Sequence, residues 1–251
     1  MKIVELPGKL TLFVFNPVNK DDYFGNKITV LKDQDKALCI DTGYKDQFLM
    51  VKEHLEREGY TLTDIVLTHF HDDHAEGLET LPSNVTTYGS IHYQVTLNGY
   101  TPKAKHAFYR PTHTIDKKTS ITFGSHTLTL IPHRGHSVDG LLVDIDHQTM
   151  HIGDEVMFSN HGDPLLPAIR YDDIPYQLIS YQLLKKYQAD YRFIYGHGLE
   201  VDDALFNQTL NDLTTYLTRI LEAKGTLSYK DATNKLKTSF KQTSWHTMMT
   251  R

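Results

Sequence analysis

The chain has 251 residues, a hydrophobic fraction of 39%, a charged fraction of 23% and a formal net charge of −5. That balance argues against a disordered chain, and the acidic sign argues against a general nucleic-acid coat protein, which would be basic. A single cysteine, Cys39, rules out an internal disulfide and a cysteine-built zinc finger, while fifteen histidines are a large stock of the commonest metal-ligating side chain.

Residues 10–15, 28–31 and 37–40 are short, rich in β-formers and separated by turn residues, which predicts three strands. Cys39 lies inside the third and reads as core. Asp41-Thr42-Gly43 closes that strand. Residues 45–58 follow as a helix with Phe48, Leu49, Val51 and Leu55 at helical spacing. A short buried strand at 65–67 runs straight into residues 68–74. Residues 76–98 predict short helices around a strand at 85–88, and residues 99–118, with two prolines, read as a long loop. Strands resume at 120–123, 126–131, 141–145 and 150–152. A helix at 172–188, a strand at 192–195, a helix at 204–221 and a short helix at 229–236 complete the pattern. The order implies a mixed α and β catalytic domain over residues 1–225, with a short helical appendage at 226–251 that is too small to fold alone.

The first nine residues, MKIVELPGK, break their apolar run with an acid and a proline, so no signal peptide is expected. No stretch approaches the ~18–20 apolar residues of a membrane span. One free thiol fits a reducing compartment, and a cytoplasmic location is the expectation.

Residues 69–74 read His-Phe-His-Asp-Asp-His. In extended chain His69 and His71 point to one side, because side chains alternate, and both can reach one metal. Asp73 and His74 follow as the chain turns and can address a second. Imidazole and carboxylate suit Zn²⁺, Fe or Mn²⁺. Three later residues stand just after predicted strands and beside glycine: His136, Asp154 and His197. Glycine permits the tight turns that aim such side chains. Together they supply the missing ligands of a two-metal site.

Asp41, the 69–74 block, His136, Asp154 and His197, in this order, resemble the metallo-β-lactamase-fold hydrolases over most of the chain. The resemblance implies an α+β fold, a four-layer αββα sandwich with the site at one edge of the paired sheets. It implies two divalent metal ions, zinc first, with iron or manganese as alternatives. His69, His71 and His136 would hold one ion, Asp73, His74 and His197 the other, and Asp154 would bridge them. Asp41 would accept a hydrogen bond from a ligand histidine and fix its tautomer. Asp72 occupies the variable position of the block and receives no ligand role.

The chemistry expected of such a pair is hydrolysis by a metal-bound hydroxide, which exists at neutral pH because the metal lowers the pKa of water to about 7. Asp73 would shuttle the proton. The resemblance leaves substrate open: a small ester, thioester or lactone is the main expectation, with a phosphodiester, an iron-dependent persulfide oxygenation and a non-catalytic regulatory module as alternatives. Asp154 resembles the bridging aspartate of thioesterases, lactonases and phosphodiesterases, so β-lactam cleavage is not favoured. Lactonases of this kind use a tyrosine after the bridging aspartate, which makes Tyr171 a candidate to hold the substrate oxygen. Lys103, Lys105, Arg110, Lys117 and Lys118 face a single acid, Asp116, in the 99–118 segment, so an anionic small molecule is a candidate substrate. Nucleic acid and membrane are not expected partners, and self-association into a homo-oligomer stays open.

Overall fold

The computed structural model describes residues 1–18 and 23–251. The chain opens with β1 (Lys2–Leu6), β2 (Leu10–Val14), β3 (Lys27–Asp33), β4 (Lys36–Ile40), helix α1 (Lys45–Arg57), β5 (Thr61–Val66) and the single-turn α2 (Asp72–Ala75). Next come β6 (Thr86–Ser90), α3 (Tyr93–Tyr100), a 3₁₀ segment at Lys103–Tyr109 and β7 (His113–Ile115). These seven strands pair in sequence order, antiparallel from β1 to β4 and parallel from β4 to β7. A second sheet holds β8 (Thr119–Phe123), β9 (His126–Pro132), β10 (Leu141–Ile145), β11 (Thr149–His151) and, after α4 (Ile174–Tyr187), β12 (Arg192–Ile194). Its order is β12-β11-β10-β9-β8, and β11 with β12 is its parallel pair. Helices α5 (Asp203–Glu222) and α6 (Tyr229–Ala232) and a 3₁₀ segment at Thr243–Met249 finish the chain.

Side-chain alternation builds the layers. Leu10, Leu12 and Val14 of β2 and Leu38 and Ile40 of β4 meet Leu141, Val143 and Ile145 of β10 between the sheets. Phe13, Ala37 and Cys39 face the other way, against Phe48, Val51 and Leu55 of α1. Leu142, Met150 and Phe193 cover the outer face of the second sheet together with Tyr181 and Leu184 of α4 and Leu210, Leu213 and Leu217 of α5. Strands buried on both faces read as the near-continuous apolar runs of the sequence. The result is four layers, helix, sheet, sheet, helix. Burial pushes the Cys39 thiol up to about 12, which leaves it an inert core side chain.

Local chemistry sets the element ends. Asp202 caps α5 by accepting the Leu205 N–H at 2.7 Å, a contact worth about 1 kcal/mol. Residues 99–118 are not the long loop their prolines suggest. They hold the end of α3, the 3₁₀ segment and β7, whose pairing with β6 places His113 opposite Tyr88. Residues 226–251 do not stand apart: Ala232, Phe240 and Met249 sit in the same core as α4 and α5. The Lys241 N–H donates to Pro164 O at 2.8 Å, and the Leu166 N–H donates to Lys241 O at 3.2 Å. The loops after β4, β5, β9, β11 and β12 carry the histidines and aspartates singled out above.

Candidate metal centre

The structure brings all seven expected donors to one cluster, with His69, His74, Asp154 and His197 buried and His71, Asp73 and His136 partly exposed. Three groups of side chains converge, each with its ligand atoms within 4.8 Å of one another: His69, His71 and His136; His69, His74 and Asp154; Asp73, His74 and His197. His71 Nδ1 lies 3.0 Å from His69 Nε2 and 3.2 Å from His136 Nε2. The Asp154 carboxylate stands between the outer groups. Its Oδ2 is 3.0 Å from His197 Nε2, 3.3 Å from His74 Nε2, 3.8 Å from His136 Nε2 and 3.9 Å from His69 Nε2. Asp73 Oδ2 is 3.4 Å from His197 Nε2.

The hydrogen bonds behind the cluster decide where the imidazole protons sit. Asp41, with φ of 61°, turns its carboxylate back under the block. Its Oδ1 accepts the Thr68 N–H at 2.7 Å, and its Oδ2 accepts the Thr68 hydroxyl and His74 Nδ1–H, both at 2.8 Å. Having given its proton to Asp41, the Thr68 hydroxyl accepts from His69 Nδ1–H at 3.1 Å. His197 Nδ1–H donates to Gly25 O at 3.4 Å. The Nε2 atoms of His69, His74 and His197 therefore carry lone pairs toward the centre.

Lone pairs and carboxylate oxygens crowded together repel unless a cation lies among them. His74 Nε2 and Asp154 Oδ1 are buried without a hydrogen-bond partner. Burial works against charge at His69 and His71 and holds both pKa values down, His71 to about 3. At His74 burial is overcome by the carboxylates of Asp154, Asp73 and Asp41, which hold it well above the ordinary histidine range. Burial opposes ionisation of Asp154, yet His197 and His74 keep it well below the usual carboxylate range. The cluster thus favours positive charge at its centre: burial keeps His69 and His71 neutral, while nearby carboxylates, against burial, raise His74 and His197. A nitrogen and carboxylate donor set with these properties fits divalent transition metals.

Close approach depends on Gly196. A Cβ there would fall 2.3 Å from Asp154 Oδ1 and 2.6 Å from His74 Cε1. Tyr171 makes none of these contacts. Its ring lies 4.0 Å from the Arg251 guanidinium and packs beside Gly225, so the structure does not bring it into the cluster. Asp72, which received no ligand role, accepts the Thr101 hydroxyl at 2.9 Å and ties α3 to the histidine block.

Several supporting side chains escaped the sequence reading. Asn26 Nδ2 donates to Asp73 O at 2.8 Å. Glu155 accepts the His136 N–H at 3.2 Å, Gln177 Nε2 at 2.8 Å and the Ser180 hydroxyl at 2.5 Å. Asp139 accepts the Phe70 N–H at 3.1 Å and the Ser137 hydroxyl. Lys27, buried, pairs with Glu200 and sits 4.0 Å over the Tyr195 ring. A lysine at the edge of the apolar run 28–31 was the available signal for Lys27, and adjacency to Asp154 the signal for Glu155.

The family model for the Metallo-beta-lactamase superfamily matches residues 22–197. Hydroxyacylglutathione hydrolase of Marinomonas sp. (strain MWYL1) is 26% identical over 198 residues, covering 73% of this chain and 68% of that protein. Hydroxyacylglutathione hydrolase of Bartonella henselae is 25% identical, covering 72% and 67%. Among solved structures, a metallo-beta-lactamase from Pontibacter korlensis superposes with a TM-score of 0.69 at 19% identity, covering 85% of this chain and 98% of that one. The FIM-1 metallo-beta-lactamase from Pseudomonas aeruginosa gives a TM-score of 0.64 at 17% identity, covering 85% and 94%. At those identities the structural neighbours establish the fold.

Proposed function

We propose that this chain, which belongs to the metallo-β-lactamase superfamily and is a metal-dependent hydrolase, cleaves a small acyl thioester, with esters and lactones as neighbouring chemistry. One observation carries the reading: the Asp154 carboxylate lies within reach of His69, His74, His136 and His197 at once. A carboxylate so placed suits a pair of divalent ions, zinc first. His69, His71 and His136 would hold one, Asp73, His74 and His197 the other, and Asp154 both. The relatives named hydroxyacylglutathione hydrolase support a thioester as the bond cleaved.

When bound, such ions supply a nucleophilic water of lowered pKa and a Lewis acid for the carbonyl oxygen. The protein's own groups do the rest. Asp41 and Thr68 fix His74 and His69 in the tautomer that presents Nε2. Gly25 O does the same for His197. Asp73, whose side chain is 24% exposed against 5% for Asp154, is the carboxylate of the cluster open to the mouth. With Oδ2 turned toward His197 and the ion seat, its other oxygen, Oδ1, would take the proton released by the attacking water and return it to the departing sulfur. Asn26 anchors the Asp73 backbone in position for that transfer.

Elemental analysis of protein expressed in metal-replete medium should find close to two transition-metal ions per chain. A thiol-release assay over a panel of small thioesters should then show turnover that chelation abolishes. Full metal loading with hydrolysis of bis(p-nitrophenyl) phosphate and none of the thioesters would replace the reading with phosphodiester chemistry. Iron content with oxygen uptake on persulfide would replace it with an oxygenase.

A further inference from the structure

Two aromatic rings lie directly on histidines of the cluster, one on each half. Tyr100 meets His71 edge-on with ring centres 4.6 Å apart, and Phe24 meets His197 edge-on at 4.8 Å. Behind Phe24 stands Trp245, its ring centre 5.5 Å away and its surface only partly buried. Trp245 comes from the far end of the chain, yet its seat is rigid. Its neighbour His246 accepts the Tyr216 hydroxyl at 2.7 Å and donates to Leu227 O at 2.9 Å. Lys241, four residues earlier, is bonded to the segment that follows Asp154. On the other side Thr101 holds the end of α3 to Asp72.

Four cations are committed to acidic partners within the protein, and a fifth, Lys241, lies 5.6 Å over the Tyr23 ring. Arg134 lies 3.5 Å over the Tyr176 ring and pairs with Asp173 at 3.3 Å. Lys105 pairs with Glu79 at 2.8 Å, Arg251 with Asp172, and Lys27 with Glu200. None of these four offers a free charge to an anionic group, whereas the rings offer apolar faces beside the reacting centre. An aromatic face left in water beside a site gains by being covered with hydrocarbon.

Resting on the thioesterase reading above, we propose that Phe24 and Trp245 form a specificity wall, and that the substrate bears an apolar acyl chain or ring that packs against it. The C-terminal segment then takes part in substrate choice through Trp245, outside the 22–197 span that matches the family.

Trp245 is the sole tryptophan of the chain, so its fluorescence reports directly on the wall. Hexanoate added to metal-loaded protein should change that fluorescence saturably, and acetate at equal concentration should not. With acetyl and hexanoyl thioesters of N-acetylcysteamine, Trp245→Ala should raise the hexanoyl KM about tenfold more than the acetyl KM, with the effect in KM rather than kcat. Trp245→Phe should recover most of the loss. The proposal is overturned if hexanoate leaves the fluorescence unchanged, or if Trp245→Ala affects both thioesters equally. Absence of any thioester turnover would defeat the thioesterase reading alone, because the fluorescence titration still decides whether the wall binds hydrocarbon.

Discussion

Replacing Glu155 with glutamine tests how the His136 loop is held. The carboxylate is buried and its two oxygens divide three donors: Oε1 takes the His136 N–H, and Oε2 takes Gln177 Nε2 and the Ser180 hydroxyl. The loop approaches so closely that a Cβ on Gly135 would lie 2.2 Å from Oε2. Glutamine keeps one acceptor and turns the other into an NH₂ donor. With the amide oxygen toward α4, the NH₂ faces the His136 N–H. With the amide flipped, it faces Gln177 and Ser180. Either way a buried donor loses its partner, at about 1–3 kcal/mol, and bonds to a carboxylate become weaker neutral ones. A loss of about 2–4 kcal/mol follows, a large part of the ~5–15 kcal/mol that stabilises a typical domain. Urea unfolding of metal-free protein should show it as a midpoint lowered by roughly 1–2 M. Ser180→Ala removes one donor and leaves the carboxylate intact, so it should cost about 1 kcal/mol. A Glu155→Gln protein within about 0.5 kcal/mol of wild type, with Ser180→Ala equally silent, would refute the account of Glu155 as the clamp between α4 and the loop.

Gly196→Ala should lower metal affinity by at least tenfold, measured by competition with a chromophoric chelator, because its Cβ would occupy space now held by Asp154 and His74. Unchanged affinity would contradict the close approach. His151 supplies a pH dependence: burial holds its pKa down to about 4, and its Nδ1 accepts the Gly153 N–H at 3.2 Å. The unfolded chain takes up this proton near pH 6.5 and the folded one only near 4, so the stability is complete above pH 6.5 and is lost as pH falls toward 4. In urea titrations of metal-free protein the excess stability of wild type over His151→Asn should shrink by about 3 kcal/mol across that window, and a flat difference would refute it.

The sheets and their apolar faces were legible because burial on both sides leaves a local signature of β-branched and aliphatic residues. β1 and β7 were not. In β1 the run Lys2, Ile3, Val4, Glu5 does not alternate polar with apolar and much of the strand is exposed, and it is a strand because β2 pairs with it along its whole length. β7 has three residues after Pro111 and exists through its register with Tyr88, Gly89 and Ser90. The metal cluster was legible for a different reason. Metal ligation admits few residue types, and four of the donors are packed within six positions, so the chemistry shows before the fold does. Glu155, Asn26 and Trp245 carry no such mark. Their roles come from partners brought near by folding: His136 and Gln177 for Glu155, Asp73 for Asn26, Phe24 for Trp245. Tyr171 illustrates the converse, since a tyrosine after Asp154 is a reasonable expectation until Arg251 is seen stacked on it.

Each of the three ligand groups draws on both sheets. His69, His71, Asp73 and His74 follow β5 in the first sheet, while His136, Asp154 and His197 follow β9, β11 and β12 in the second. A seat for a cation therefore closes only when the two sheets are docked, and free energy gained there counts toward the docking itself. That coupling explains why the polar groups of the seam are so fully engaged: Asp41, Thr68 and Asn26 spend their hydrogen bonds on the block rather than on solvent. Any substitution in the seam must then affect stability and metal together. Phe24 and Trp245 sit on the outer side of His197 and contribute no donor to the cluster. Substrate preference can change through them without reopening the seam, because neither ring supplies a group on which the cation seat depends.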